Sequence, residues 1–157
     1  MNTEIKKRID ALLADAAARL AEVSESARLD AEILLARTID MPRSYLFAHP
    51  EDELDEHSFE RFATLLQRRA DGEPMAYIMG TREFWSHELI VNAATLVPRP
   101  ETELLVDLAL REIPRKADWQ ILDLGTGSGA LAIALASERM LCQVTATDVS
   151  AAALAVA

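Results

Sequence analysis

Apolar residues recur at spacings of three and four over the first half of the chain, which predicts helices. Ile5, Ile9, Leu12, Leu13, Ala16 and Leu20 line one face of the first. Ser26 is placed to cap a second helix running through Thr38, with Leu29, Ile33 and Leu34 inward. Pro42 interrupts the pattern. Asp55 then caps a helix that buries Phe59, Phe62, Leu65 and Leu66. Arg68 and Arg69 suit its last turn, and Gly72 and Pro74 stop it. Residues 1–75 therefore read as a small helical bundle.

From Gly80 the pattern changes. Arg82–Ser86 and Leu89–Asn92 are short strand-like runs flanking His87-Glu88, which predicts a hairpin with its turn at those two residues. Pro98 and Pro100 hold the next segment extended. A helix follows, with Leu104, Leu105, Leu108 and Ala109 on one side and Glu101 and Glu103 in its first turn. After Pro114 the reading is α/β. Ile121–Leu124 is a short buried strand, Gly125–Gly129 a turn, Ala130–Glu138 an apolar helix and Cys142–Thr147 a second strand ending at Asp148. Ser150 caps a last helix, Ala151–Ala157, which carries no stop signal. The expected divisions are a helical domain over 1–75, a β-hairpin linker over 76–100 and a nucleotide-binding α/β domain over 101–157.

Composition narrows the function. Half of the 157 residues are apolar and only 11 are Gly or Pro, which excludes a disordered or collagen-like chain. The net charge of −10 argues against general binding to nucleic acid or anionic membrane. One cysteine, Cys142, provides neither an intramolecular disulfide framework nor a cysteine metal cluster. It reads as a core residue of its strand. Charged residues break up the N-terminus as a signal peptide, and no apolar run is long enough for a membrane span, so a cytoplasmic protein is expected. His49, His57 and His87 lack ligand spacing, and no metal site is expected. Residues 51–60 hold six acids and no base. They read as a solvated helix start, or alternatively as a docking patch for a basic partner. Phe84 and Trp85 are expected to pack the hairpin, with an aromatic lid as the other reading. Arg99 is expected either to reach a ligand carboxylate or to pair with Glu101 or Glu103.

The chemistry concentrates in one strand–turn–helix. Three of the five glycines, Gly125, Gly127 and Gly129, fall within five residues. Such a loop lets backbone turn sharply and lets a nucleotide-like ligand approach without a Cβ in the way. Asp148, at the end of the next strand, has two oxygens suited to a pair of ribose hydroxyls. Gly125-x-Gly127-x-x-Ala130 also satisfies the dinucleotide pattern, which keeps a nicotinamide-dependent oxidoreductase open. With Asp123 before the loop and glycine at every second position, the Asp-x-Gly-x-Gly-x-Gly form instead resembles motif I of the S-adenosylmethionine-dependent methyltransferases. An acid there suits a cationic ligand that has no pyrophosphate.

Longer runs carry a more specific resemblance. Arg28-Leu29-Asp30-Ala31-Glu32-Ile33-Leu34-Leu35, Arg68-Arg69-Ala70-Asp71-Gly72-Glu73-Pro74, Gly80-Thr81-Arg82-Glu83-Phe84-Trp85-Ser86 and Leu96-Val97-Pro98-Arg99-Pro100-Glu101-Thr102-Glu103 stand in order before the glycine loop. Together they resemble the release-factor glutamine methyltransferases, the HemK/PrmC family. The resemblance implies a helical substrate-recognition domain, a β-hairpin linker and the first part of a Rossmann-like methyltransferase domain. It implies S-adenosyl-L-methionine as cofactor, held by Gly125, Thr126, Gly127, Ser128, Gly129 and Asp148, with Pro98–Glu103 against the pocket. It implies methylation of the glutamine amide in the Gly-Gly-Gln loop of a peptide chain release factor, a role in translation termination.

The family positions that amide with an Asn-Pro-Pro-Tyr motif, and this sequence contains none; Asn2 and Asn92 are its only asparagines. The expectation is therefore an N-terminal fragment with no catalytic residues of its own, inactive by itself and weak in cofactor binding. Its two strands would leave the α/β part poorly supported. Two alternatives differ in class from the nicotinamide enzyme: a non-enzymatic module that binds a release factor, and a methyltransferase of the same fold acting on another amide or amine. Oligomeric state stays open.

Overall fold

The computed structural model describes residues 7–157. The chain forms two compact units, Met1–Ile78 and Met79–Ala157.

The first unit is helical: α1 (Ile9–Leu20), α2 (Ala27–Ile39), α3 (Arg43–Ala48), α4 (Glu56–Ala70) and the short α5 (Met75–Met79), which crosses its end. Ile5, expected on the first apolar face, lies outside the described residues. Ile9, Leu12, Leu13, Ala16 and Leu20 of α1 pack against Leu34 and Leu35 of α2, Leu46, Leu54, and Phe62 and Leu66 of α4. The residue before α1, Arg8, makes no side-chain cap. The first two N–H groups of the helix instead donate to backbone, Ile9 to Asp52 and Asp10 to Pro50, both at 2.9 Å, and Ala11 N–H donates to the Asp10 carboxylate at 2.7 Å, so the acidic 50–54 segment helps close the helix start. Within that segment Asp52 accepts from the Tyr45 hydroxyl. Asp55 caps α4 through the Ser58 N–H at 2.7 Å, and Glu56 pairs with Lys7. At the other end of α4, Gly72 takes φ +89°. Gly72 N–H then bonds to Arg69 and Glu73 N–H to Arg68, a Schellman closure that needs a residue free to adopt that φ.

The expected inward face of α2 is corrected in part. Leu34 is buried and Ile33 half-buried, but Leu29 is 40% exposed. Asp30 and Glu32 are buried instead, because each is neutralised. Arg69 reaches Asp30 at 2.8 Å, with the Ser24 and Ser26 hydroxyls donating as well. Arg28 and Arg43 hold Glu32 at 2.9 and 2.6 Å. Burial pushes the Glu32 carboxyl upward, yet the hydrogen bonds from Arg43 and Arg28 outweigh it and leave the group below its ordinary value.

The second unit opens with an antiparallel hairpin, β1 (Thr81–Phe84) and β2 (His87–Ile90), paired from Thr81↔Ile90 to Phe84↔His87. The turn is therefore Trp85-Ser86, two residues earlier than expected, and His87 and Glu88 belong to β2. Both turn residues take positive φ, 51° and 61°, the twist that suits a two-residue hairpin. Without glycine that twist needs outside support. Trp85 N–H donates to Glu103 at 3.1 Å and its indole N–H to Glu138 at 3.0 Å. Glu103 is thus engaged with Trp85, and no Arg99 pair with Glu101 or Glu103 forms among the described residues. Phe84 is buried and Trp85 packs beside it, as expected of the hairpin aromatics.

A 3-10 turn at Pro100–Thr102 leads into α6 (Glu103–Glu112). There follow β3 (Gln120–Leu124), α7 (Ala130–Glu138), β4 (Gln143–Thr147) and α8 (Ala151–Leu154). Strands β3 and β4 pair in parallel, with Asp123 opposite Ala146 and Leu124 opposite Thr147. The core gathers Phe84, Leu89, Val106, Ile113, Ala117, Ala130, Ala134 and Leu135. Cys142 packs against it just before β4, its thiol donating to Ala117. Three expectations fail here, the first in part. On α6 Ala109 packs against the core as expected, but its companions are Val106 and Leu110, while Leu104, Leu105 and Leu108 are exposed. The helix is apolar on several sides, so periodicity alone does not choose the face. Strand β3 is half-buried on one side, at Ile121 and Asp123, and exposed on the other, where Leu122 and Leu124 stand 59% and 74% exposed. The last helix also ends earlier than expected, at Leu154. Buried Arg139 bonds the carbonyls of Leu110 and Ile113 at 2.6 and 2.8 Å, closing the C-terminal end of α6.

Two outcomes follow for the first unit. Arg69→Ala, which strips a charge partner from buried Asp30, is expected to cost about 3 kcal/mol in urea unfolding, and Leu29→Ala about 0.5 kcal/mol or less. The opposite ranking would refute the placement of α2. Because the folded-state value of Glu32 is lowered, its stabilisation is complete above the unfolded carboxyl range near pH 4.3 and is lost as pH falls through the folded value. Glu32→Gln should flatten that part of an acid-unfolding curve.

Candidate functional site

Parallel pairing brings the ends of β3 and β4 side by side, and every expected cofactor residue lies there. Gly125 and Thr126 N–H both donate to the Thr147 carbonyl, at 2.8 and 2.9 Å, so the chain folds across the end of β4 as it leaves β3. Gly125, Gly127 and Gly129 all have positive φ, 77°, 58° and 80°. L residues rarely adopt that conformation, which explains glycine at every second position. The space around them differs. A Cβ on Gly125 or Gly127 would meet nothing within 4 Å, whereas one on Gly129 would sit 3.2 Å from Ile133 Cδ1. The first two glycines border open space and the third packs the helix. Gly129 is the residue before α7, and Ile133 N–H bonds its carbonyl at 2.8 Å.

The polar side chains of the loop turn into the protein. Thr126 is buried, and its hydroxyl donates to Asp123 Oδ2 at 2.7 Å. Ser128 is buried as well. Asp148, just past β4, accepts Gly127 N–H on Oδ2 at 3.0 Å and Ser150 N–H on Oδ1 at 2.9 Å. These backbone donors, Ser150 first and then Gly127, hold its carboxyl below the ordinary aspartate value. Ser150 in turn caps α8 through the Ala153 N–H at 3.1 Å.

The amide accounting bears on ligand type. Gly125, Thr126, Gly127 and Gly129 N–H all have partners inside the protein. A pyrophosphate binds such a loop through free amide donors. These four donors are engaged within the protein, and two carboxylates, Asp123 and Asp148, flank the loop. The geometry suits a nucleoside that lacks phosphate and carries positive charge. Asp123 is the member of this group that the expected site omitted; its signal was its position two residues before Gly125.

Comparison with known proteins identifies the family. The PrmC N-terminal domain family matches residues 11–80, and the methyltransferase small domain family matches residues 101–157. The chain is 52% identical over 130 residues to the release factor glutamine methyltransferase of Shewanella oneidensis, covering 83% of this chain and 45% of that protein. It is 54% identical over 125 residues to that of Salmonella typhimurium, covering 80% and 45%. The enzyme of the same name from Escherichia coli is 50% identical over 127 residues, covering 81% and 46%. The chain thus spans about half the length of the curated relatives it matches. With a PrmC N-terminal domain followed by a methyltransferase small domain, it belongs to the release factor glutamine methyltransferase family.

Proposed function

We propose that this chain supplies the substrate-recognition unit and the cofactor loop of an S-adenosylmethionine-dependent protein methyltransferase. The acceptor is the side-chain amide of the glutamine in the Gly-Gly-Gln loop of a peptide chain release factor, and the setting is cytoplasmic. The observation that carries the reading is the loop between Asp123 and Asp148. Gly125 and Gly127 border open space, the amides of Gly125, Thr126, Gly127 and Gly129 are engaged within the protein, and the flanks are carboxylates.

The cofactor residues take separate parts in this reading. Backbone at Gly125 and Gly127 borders the space for the methionine portion. Asp148 keeps lone pairs for ribose hydroxyls while accepting two N–H groups. Thr126 and Ser128 act through backbone shape, because their side chains are buried. When bound, S-adenosylmethionine supplies an electrophilic methyl group on a sulfonium. An amide nitrogen is a poor nucleophile, so acceleration must come from positioning and local electrostatics. The Asn-Pro-Pro-Tyr that positions the amide in the family is not in this sequence. On this reading the 157 residues by themselves bind cofactor weakly and do not turn over.

A titration followed by amide NMR tests the ligand class. S-adenosylhomocysteine should shift the resonances of Gly125, Gly127 and Ser150, and NAD at equal concentration should not. Tight NAD binding without a response to S-adenosylhomocysteine overturns the reading. In a methyl-transfer assay with a release factor, the 157 residues alone should give no product; stoichiometric methylation would contradict the division of labour proposed here.

A further inference from the structure

Asp148 is engaged before any ligand arrives. Loops rich in glycine lose more backbone freedom on ordering than others, so a loop with Gly125, Gly127 and Gly129 needs fixed points. Its entry is fixed by the Thr147 carbonyl, which takes the N–H groups of Gly125 and Thr126. Its inner side is fixed by the Thr126 hydroxyl on Asp123 and by Gly129 N–H on the Thr126 carbonyl at 2.9 Å. Gly127, at φ +58° and bordered by open space, sits between these points. Its N–H reaches out of the loop to Asp148 Oδ2, 21 residues further along the chain. The other oxygen of the same carboxylate is held by Ser150 N–H at the start of α8. The carboxylate therefore spans from the helix after β4 to the middle of the glycine loop.

We propose that Asp148 is a positioning residue for the loop, holding Gly127 in its ligand-ready conformation independently of any contact with ribose. A bond from N–H to an ionised carboxylate is stronger than one between neutral groups. A carboxylate has about four acceptor positions, so the two N–H groups leave room for hydroxyls. The two roles coexist on one side chain, and they separate experimentally. The binding arm of the test rests on the cofactor reading above; the exchange arm does not.

Amide hydrogen exchange of the ligand-free 157-residue chain is measured for wild type, Asp148→Asn and Asp148→Ala. Loss of the bond should speed exchange at Gly127 by about tenfold or more in Asp148→Ala, with Ile121 and Val144 in the strands unchanged. Asp148→Asn, which keeps one carbonyl oxygen, should fall between and serves if the alanine variant unfolds. A carboxylate that only closes the start of α8 would speed exchange at Ser150 and leave Gly127 unchanged, which overturns the proposal. In the second arm, S-adenosylhomocysteine lacking both ribose hydroxyls is titrated. Its affinity should also fall roughly tenfold in Asp148→Ala, since a preorganised loop is lost. An unchanged affinity would make Asp148 a ribose ligand alone and refute the positioning role. Faster Gly127 exchange with no binding of either compound to wild type would uphold the positioning role and reject the cofactor reading.

Discussion

The parallel register of β3 and β4 is the constraint on which the site depends. With Leu124 opposite Thr147, the chain leaves β3 directly beside the end of β4, and one carbonyl there receives two successive loop amides. The same register delivers Asp148 within hydrogen-bond distance of Gly127. A slip of one residue would turn every strand side chain to the opposite face and remove both attachments. Helix α7 follows from this arrangement too, because Gly129 turns the chain into the helix and its carbonyl receives the Ile133 amide.

Charge is handled differently in the two units. In the helical unit, buried carboxylates are matched by arginine: Asp30 by Arg69, and Glu32 by Arg28 and Arg43. Breaking such a pair leaves an uncompensated charge, and these pairs link α2 to α4 and to α3. At the glycine loop the carboxylates are matched by backbone N–H and hydroxyl donors instead. Among the described residues no cationic side chain pairs with Asp123 or Asp148, and the local field stays favourable to positive charge.

Some elements were legible because a local cause produces them. Asp55 and Gly72 bound α4 through contacts within a few residues, and both are visible as residue types at the right spacing. The strand–glycine–helix order and Asp148 were legible for the same reason. The hairpin turn was not, because Trp and Ser seldom take positive φ and do so here with support from Glu103 and Glu138. The inward face of α6 was equally hidden. The expected stripe of Leu104, Leu105, Leu108 and Ala109 and the observed one of Val106, Ala109 and Leu110 share only Ala109, and packing against the rest of the unit selects between them.

The amino-acid sequence alone therefore determined the order of the longer elements, though not the short α3 and α5, together with the glycine loop and the family resemblance, since these rest on short-range pattern and residue type. Tertiary structure decided which faces are covered, which acids are buried, and what the loop amides bind. Those outcomes depend on partners far along the chain: Arg69 for Asp30, Asp148 for Gly127, Arg139 for the end of α6. Pairing across such separations follows from packing and strand register, which no local window of sequence contains.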